Sequence, residues 1–111
     1  MSQLERFRET VASYNKHGWK LCRVLMCERT AIELNGSSDL QFEGVIPEAS
    51  PVDAIWFTRP SHAGREAWEL RLIDDTPYAL FETFEKDCDE ELREEMLRDM
   101  QVRLAEYAIR D

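Results

Sequence analysis

The sequence predicts an α+β fold: an N-terminal helix, an antiparallel β-sheet of about four strands, and a long C-terminal helix packed on that sheet. Three observations carry this. An apolar repeat at three- and four-residue steps opens the chain. Three β-rich runs follow one another closely in the second half. A charged, amphipathic stretch closes it. A length of 111 residues fits one domain, 1–111.

Ser2 and Glu5 form the capping-box pattern, and Leu4, Phe7, Val11 and Tyr14 then fall on one stripe of a helix over 3–16. Gly18 is its natural stop. Residues 19–27, "WKLCRVLMC", are short and apolar on both alternating faces, as in a strand covered on both sides. Residues 28–36, "ERTAIELNG", read as a short helix ending in a left-handed cap at Asn35-Gly36, with a strand turning at Asn-Gly as the rival. Residues 37–51 hold Gly44, Pro47 and Pro51 and read as a long loop with a brief strand at "LQFEGVI".

The three β-rich runs are 52–59, 66–73 and 78–85, and "DDTP" marks a turn between the second and third. They predict an antiparallel meander. In the final segment, 87–111, acids crowd the start and arginines the end, which suits the helix dipole. Glu94–Arg98, Asp99–Arg103 and Glu106–Arg110 are spaced for pairing along the helix. Leu92, Met96, Leu97, Met100, Leu104, Tyr107 and Ala108 share a broad arc. Arg93 falls inside it and must snorkel or find an acid. Val102 and Ile109 lie on the opposite side as a second apolar patch.

Acids outnumber bases 23 to 14, for a net charge of −9. Such a chain repels phosphate backbones and anionic lipid, so no nucleic acid and no membrane is expected as partner. No run is apolar over the roughly 20 residues a span requires. The N-terminus lacks the pattern of a signal peptide, and the odd count of three cysteines suits reduced thiols; the expected location is cytoplasmic.

Cys22, Cys27, Cys88, His17 and His62 make no metal-ligand spacing, and no Gly-rich phosphate loop, nucleophile elbow or dinucleotide fingerprint occurs. No metal, cofactor or catalytic residue is therefore expected.

The stretch "WFTRPSHAGREAW", 56–68, is the strongest site candidate. With Trp56 opposite Trp68, Arg59 meets Arg65 across a five-residue tip, and Asp53 meets Arg71. Two opposed arginines need a neutralising acid, either from the chain or from a ligand. The candidate anion-binding set is Arg59, Arg65 and Arg71 with Ser61 and His62. The candidate interface set is Trp56, Trp68, Val102 and Ile109. The first expectation is a protein-binding or adaptor/chaperone-like module that binds a partner or self-associates. The second is a small enzyme or ligand-binding domain holding an anionic molecule near Arg59 and Arg65.

Overall fold

In the computed structural model, which describes residues 2–35 and 42–109, a five-stranded sheet is covered by helices on both faces. The order along the chain is α1 (Gln3–Lys16), β1 (Lys20–Met26), α2 (Glu28–Asn35), β2 (Glu48–Ala49), β3 (Ala54–Pro60), β4 (Glu66–Leu72), β5 (Ala79–Phe84) and α3 (Glu90–Ile109). The α+β architecture and the terminal helices agree with the sequence. The sheet has five strands rather than four, because the two-residue β2 pairs parallel with the end of β1. The brief strand expected at 40–46 does not form at residues 42–46, and residues 40–41 lie outside the described residues.

Local chemistry accounts for the elements. Ser2 accepts a hydrogen bond from the Glu5 amide at 3.1 Å, and Gly18 (φ +87°) releases the chain after α1. Residues 28–35 form the helix that their composition favoured. Gly36, the expected cap residue, lies outside the described residues.

The sheet order is β2-β1-β3-β4-β5; β3 and β4 have neighbours on both sides, whereas β1 meets β2 only at Leu25 and Met26. One face buries Phe7, Leu21, Val24, Met26, Ile55 and Phe57 together, with partly buried side chains from α1 and α2 packed around them. The other buries Ala54, Trp56, Trp68, Leu70, Leu72 and Phe84 against Leu97, Met100 and Leu104 of α3. A β-bulge lies between Leu21 and Arg23, and it lets Leu21 and Val24 share a face although they are three positions apart.

The β3–β4 register differs from the expected one by two residues. Trp56 pairs with Leu70, Thr58 with Trp68, Arg59 with Ala67 and Pro60 with Glu66. The tip keeps its five-residue length but moves one residue along, to 61–65. The Ser61 amide closes it on the Arg65 carbonyl at 2.8 Å, and Ala63 (φ +58°) and Gly64 (φ +75°) make the turn in left-handed conformations. An even shift preserves which residues share a face. Trp56 and Trp68 therefore still touch, edge to face at 5.8 Å, as diagonal rather than opposed neighbours.

Asp53 does not face Arg71 as expected. It is 7% exposed, and its carboxylate accepts from the Cys27 amide (2.8 Å), the Thr30 hydroxyl (2.6 Å) and the Gln3 amide nitrogen (2.9 Å). One side chain thus ties α1, α2 and the end of β1 to the start of β3. In α3, Glu94 pairs with Arg23 of β1 at 2.8 Å instead of with Arg98. Asp99 and Arg103 lie 3.8 Å apart as the spacing predicted. The Glu106–Arg110 pair falls partly outside the described residues.

Candidate functional site

The hairpin tip does not gather its arginines. Arg59 lies over the Trp19 ring at 4.8 Å and donates to the His17 carbonyl at 3.1 Å. Arg65 pairs with Glu85 at 2.8 Å. One reaches toward the start of β1 and the other past the end of β5, in opposite directions across the sheet. The expected Arg59–Arg65 opposition is absent because of the shifted register, and each arginine has its own partner. Ser61 caps the short turn only in position, with no side-chain hydrogen bond, and His62 is exposed within it.

Arg71 has a different setting. It lies on the α1 face of β4, with its guanidinium 5.9 Å from the Tyr14 ring and NH1 donating to the Tyr14 hydroxyl at 3.5 Å. That hydroxyl donates in turn to Glu69. Burial and the Glu69 carboxylate push the Tyr14 pKa up to about 12, with Arg71 acting in the opposite direction. The Arg71 Nε is shielded from solvent and has no hydrogen-bond partner among the described residues. The cleft beside it, about 500 Å³, is lined by Arg6, Glu9, Thr10, Ser13, Tyr14, Arg71, Asp74 and Asp75 among others, and Arg6 is already paired with Asp75. Three carboxylates against two guanidiniums make this a poor seat for an anion.

Trp56 and Trp68, expected at an interface, are buried beneath α3 at 0% and 5% exposure. The Trp56 indole donates to Gln101 of α3 at 2.8 Å, and the Trp68 indole donates to Glu66 at 2.7 Å. Arg23 and Arg93 flank the Trp68 ring at 5.4 and 5.9 Å, so Arg93 resolves its position in the apolar arc by lying against an aromatic face. Val102 and Ile109, in contrast, are exposed at 55% and 67%.

The surface that sequence reasoning missed is the edge strand β5. It ends the sheet on the side opposite β2, so one row of its backbone groups has no neighbouring strand among the described residues. Phe81 projects on the α1 face, 57% exposed, in edge contact with Trp19 at 6.3 Å. Trp19 continues to Tyr14 (6.1 Å), which stacks on Phe57 at 4.0 Å. On the opposite face, Glu82 joins Leu92, Glu95, Met96, Asp99, Met100 and Arg103 in a cleft of about 570 Å³ between β5 and α3. Its floor is apolar, and its rim has three acids to one base. The composition of "YALFETFE" marks a strand, but only the sheet order shows that no strand among the described residues lies beyond it.

Among the described residues, no group of three His, Cys, Asp or Glu side chains is placed to hold a metal ion, and no helix is long and apolar enough to cross a membrane. Compared with protein-family models, curated proteins and solved structures, the chain matches none.

Proposed function

We propose that this chain is a protein-binding module that takes up a basic, extended segment of a partner along β5. The observation that carries the reading is an uncovered edge strand with apolar side chains on both of its faces. Edge strands are ordinarily blunted by Lys, Pro or a covering element. β5, "ALFETF", contains neither residue. A strand added there would hydrogen-bond through its backbone and send alternate side chains to the two faces. On one face they would meet Phe81 and Trp19. On the other they would meet Leu92 and Met96, with Glu82, Glu95 and Asp99 placed to receive Lys or Arg. Methionine supplies an adaptable floor, and the surrounding acids select positive charge. The net charge of −9 favours the same class of partner over long range. A reducing, cytoplasmic setting for this binding would suit the three free cysteines.

The test uses a fluorescent peptide about ten residues long that alternates Lys with Val, matched by one that alternates Glu with Val. Binding measured by anisotropy should favour the Lys peptide. Phe81→Lys, which installs the usual edge protection, and Glu82→Lys should each weaken it by about tenfold. Equal affinity for both peptides, or no effect of either substitution, would refute the reading. The alternative, an anionic small molecule held by Arg59 and Arg65, has less support because the two guanidiniums diverge and are separately engaged.

A further inference from the structure

We infer, on the reading of β5 as a binding edge, that Glu82 makes this edge selective for basic segments. Its carboxylate guards a free backbone amide, and a Lys or Arg side chain of the incoming strand draws the guard away.

Hydrogen bonds along β4 fix which backbone groups of β5 are free. In an antiparallel ladder, successive residues of a strand turn their amides and carbonyls to opposite sides. The Ser61 amide donates to the Arg65 carbonyl, and the Ile73 amide donates to the Asp53 carbonyl. The odd-numbered residues of β4 therefore face β3. The Leu72 amide donates to the Tyr78 carbonyl, so the even-numbered residues face β5. The register pairs Leu70 with Leu80, Trp68 with Glu82 and Glu66 with Phe84. Leu80, Glu82 and Phe84 accordingly turn their backbone groups to β4. Ala79, Phe81 and Thr83 turn theirs outward, where an added strand would bond.

One of these three outward amides is already engaged. The Thr83 amide donates to the Glu82 Oε1 at 3.1 Å. The carboxylate therefore takes the place that a carbonyl of the added strand would fill. Glu82 also lines the cleft on the α3 face, with Leu92, Glu95, Met96 and Asp99. A neutral segment that pairs with the whole edge must break the Glu82–Thr83 bond and leave the carboxylate without it. A segment with Lys or Arg opposite Glu82 offers a charge-assisted bond in exchange. Directly opposed residues of an antiparallel pair share a face, so that side chain enters the same cleft. There it also meets Glu95 and Asp99, whose like charge it offsets. The same carboxylate thus blunts the edge when no segment is bound and selects the segment that binds. It does so on a strand that has neither Lys nor Pro to protect it.

Anisotropy with two labelled peptides about ten residues long provides the test, one alternating Lys with Val and one alternating Thr with Val. The wild type should bind the Lys peptide about tenfold more tightly than the Thr peptide. Glu82→Ala removes guard and charge together, so it should bind the Thr peptide about fivefold more tightly than the wild type does. Glu82→Gln keeps an oxygen for the Thr83 amide and removes only the charge. It should bind the Thr peptide as the wild type does and the Lys peptide more weakly. Circular dichroism confirms that each variant is folded before it is compared. If the Lys peptide binds the wild type but the Thr peptide gains nothing from Glu82→Ala, the guard is overturned and the binding edge stands. An equal gain from Glu82→Gln would overturn the guard in the same way. Failure of both peptides to bind either the wild type or Glu82→Ala would overturn the edge reading and the guard with it.

Discussion

Replacing Asp53 with Ala should be among the most damaging single substitutions in this chain, although Asp53 has no ion pair among the described residues. Its carboxylate is almost wholly buried and accepts three hydrogen bonds, from a backbone amide, a hydroxyl and a side-chain amide. A hydrogen bond to a charged acceptor contributes about 1.5–3 kcal/mol, and the three share one group, so they do not simply add. Truncation also leaves the Thr30 hydroxyl, which is 2% exposed, against the Cys27 Sγ at 3.4 Å, a much weaker acceptor than a carboxylate. The expected loss is about 3–5 kcal/mol, set against a total stability of roughly 5–15 kcal/mol for such a domain. At this chain length that corresponds to a fall in Tm of about 12–20 °C. Asp53→Asn should cost less, because one acceptor oxygen remains while the new NH2 opposes donors. The pair Asp53→Ala with Thr30→Val should cost less than the sum of the singles, because the poorly paired hydroxyl is then removed. Urea unfolding followed by far-UV circular dichroism measures the wild type and the four variants, Thr30→Val included. A loss below about 1 kcal/mol for Asp53→Ala would show that the cluster does not hold α1, α2 and β3 together.

Three further outcomes follow from particular side chains. Tyr14 keeps its proton in the folded state up to about pH 12, against about 10 when unfolded. The stabilisation it provides is therefore complete below pH 10 and is lost as pH rises toward 12. Ultraviolet titration of the wild type against Tyr14→Phe should show this late ionisation, and a difference spectrum with its midpoint near pH 10 would refute it. Glu94 titrates below the ordinary carboxylate range, chiefly because Arg23 donates to it. Its contribution is present above the unfolded value of about 4.3 and disappears as pH falls through the depressed value. The stability gap between wild type and Arg23→Gln should accordingly shrink in acid, and a gap constant from pH 6 to about pH 2 would refute the pairing. Ala63 holds a left-handed conformation (φ +58°) at the hairpin tip. Ala63→Gly should therefore stabilise by about 0.5–1 kcal/mol in thermal melts, whereas a loss would mean the tip is not strained.

Binding at β5 draws on Phe81, Glu82 and the acids of one α3 flank. Asp53 contacts α1, α2 and the end of β1 instead, so its substitution should lower stability without changing the preference for basic peptides.

Much of the fold was written locally. The bounds of α1 follow from Ser2, Glu5 and Gly18, because capping and left-handed release are properties of a few adjacent residues. The faces of β3 and β4 follow from alternation, which survived even when the register moved, since the shift was by two. Local pattern also marked Val102 and Ile109 as lying off the core arc of α3.

Pairing partners, by contrast, came only with the tertiary structure. Counted from its two tryptophans, the hairpin opposes Arg59 to Arg65. The left-handed turn at Ala63 and Gly64 moved the tip by one residue and sent the two guanidiniums apart. Asp53 is 26 residues from Cys27 and 50 from Gln3, so nothing in its neighbourhood announced a shared carboxylate. Nor could composition show that β5 is an edge, since that depends on which strand fails to pair beyond it. Alternation and capping act over one to four residues and can be read along the chain. Registers, edges and buried charge partners arise from segments brought together in space, and they exist only once the sheet has formed.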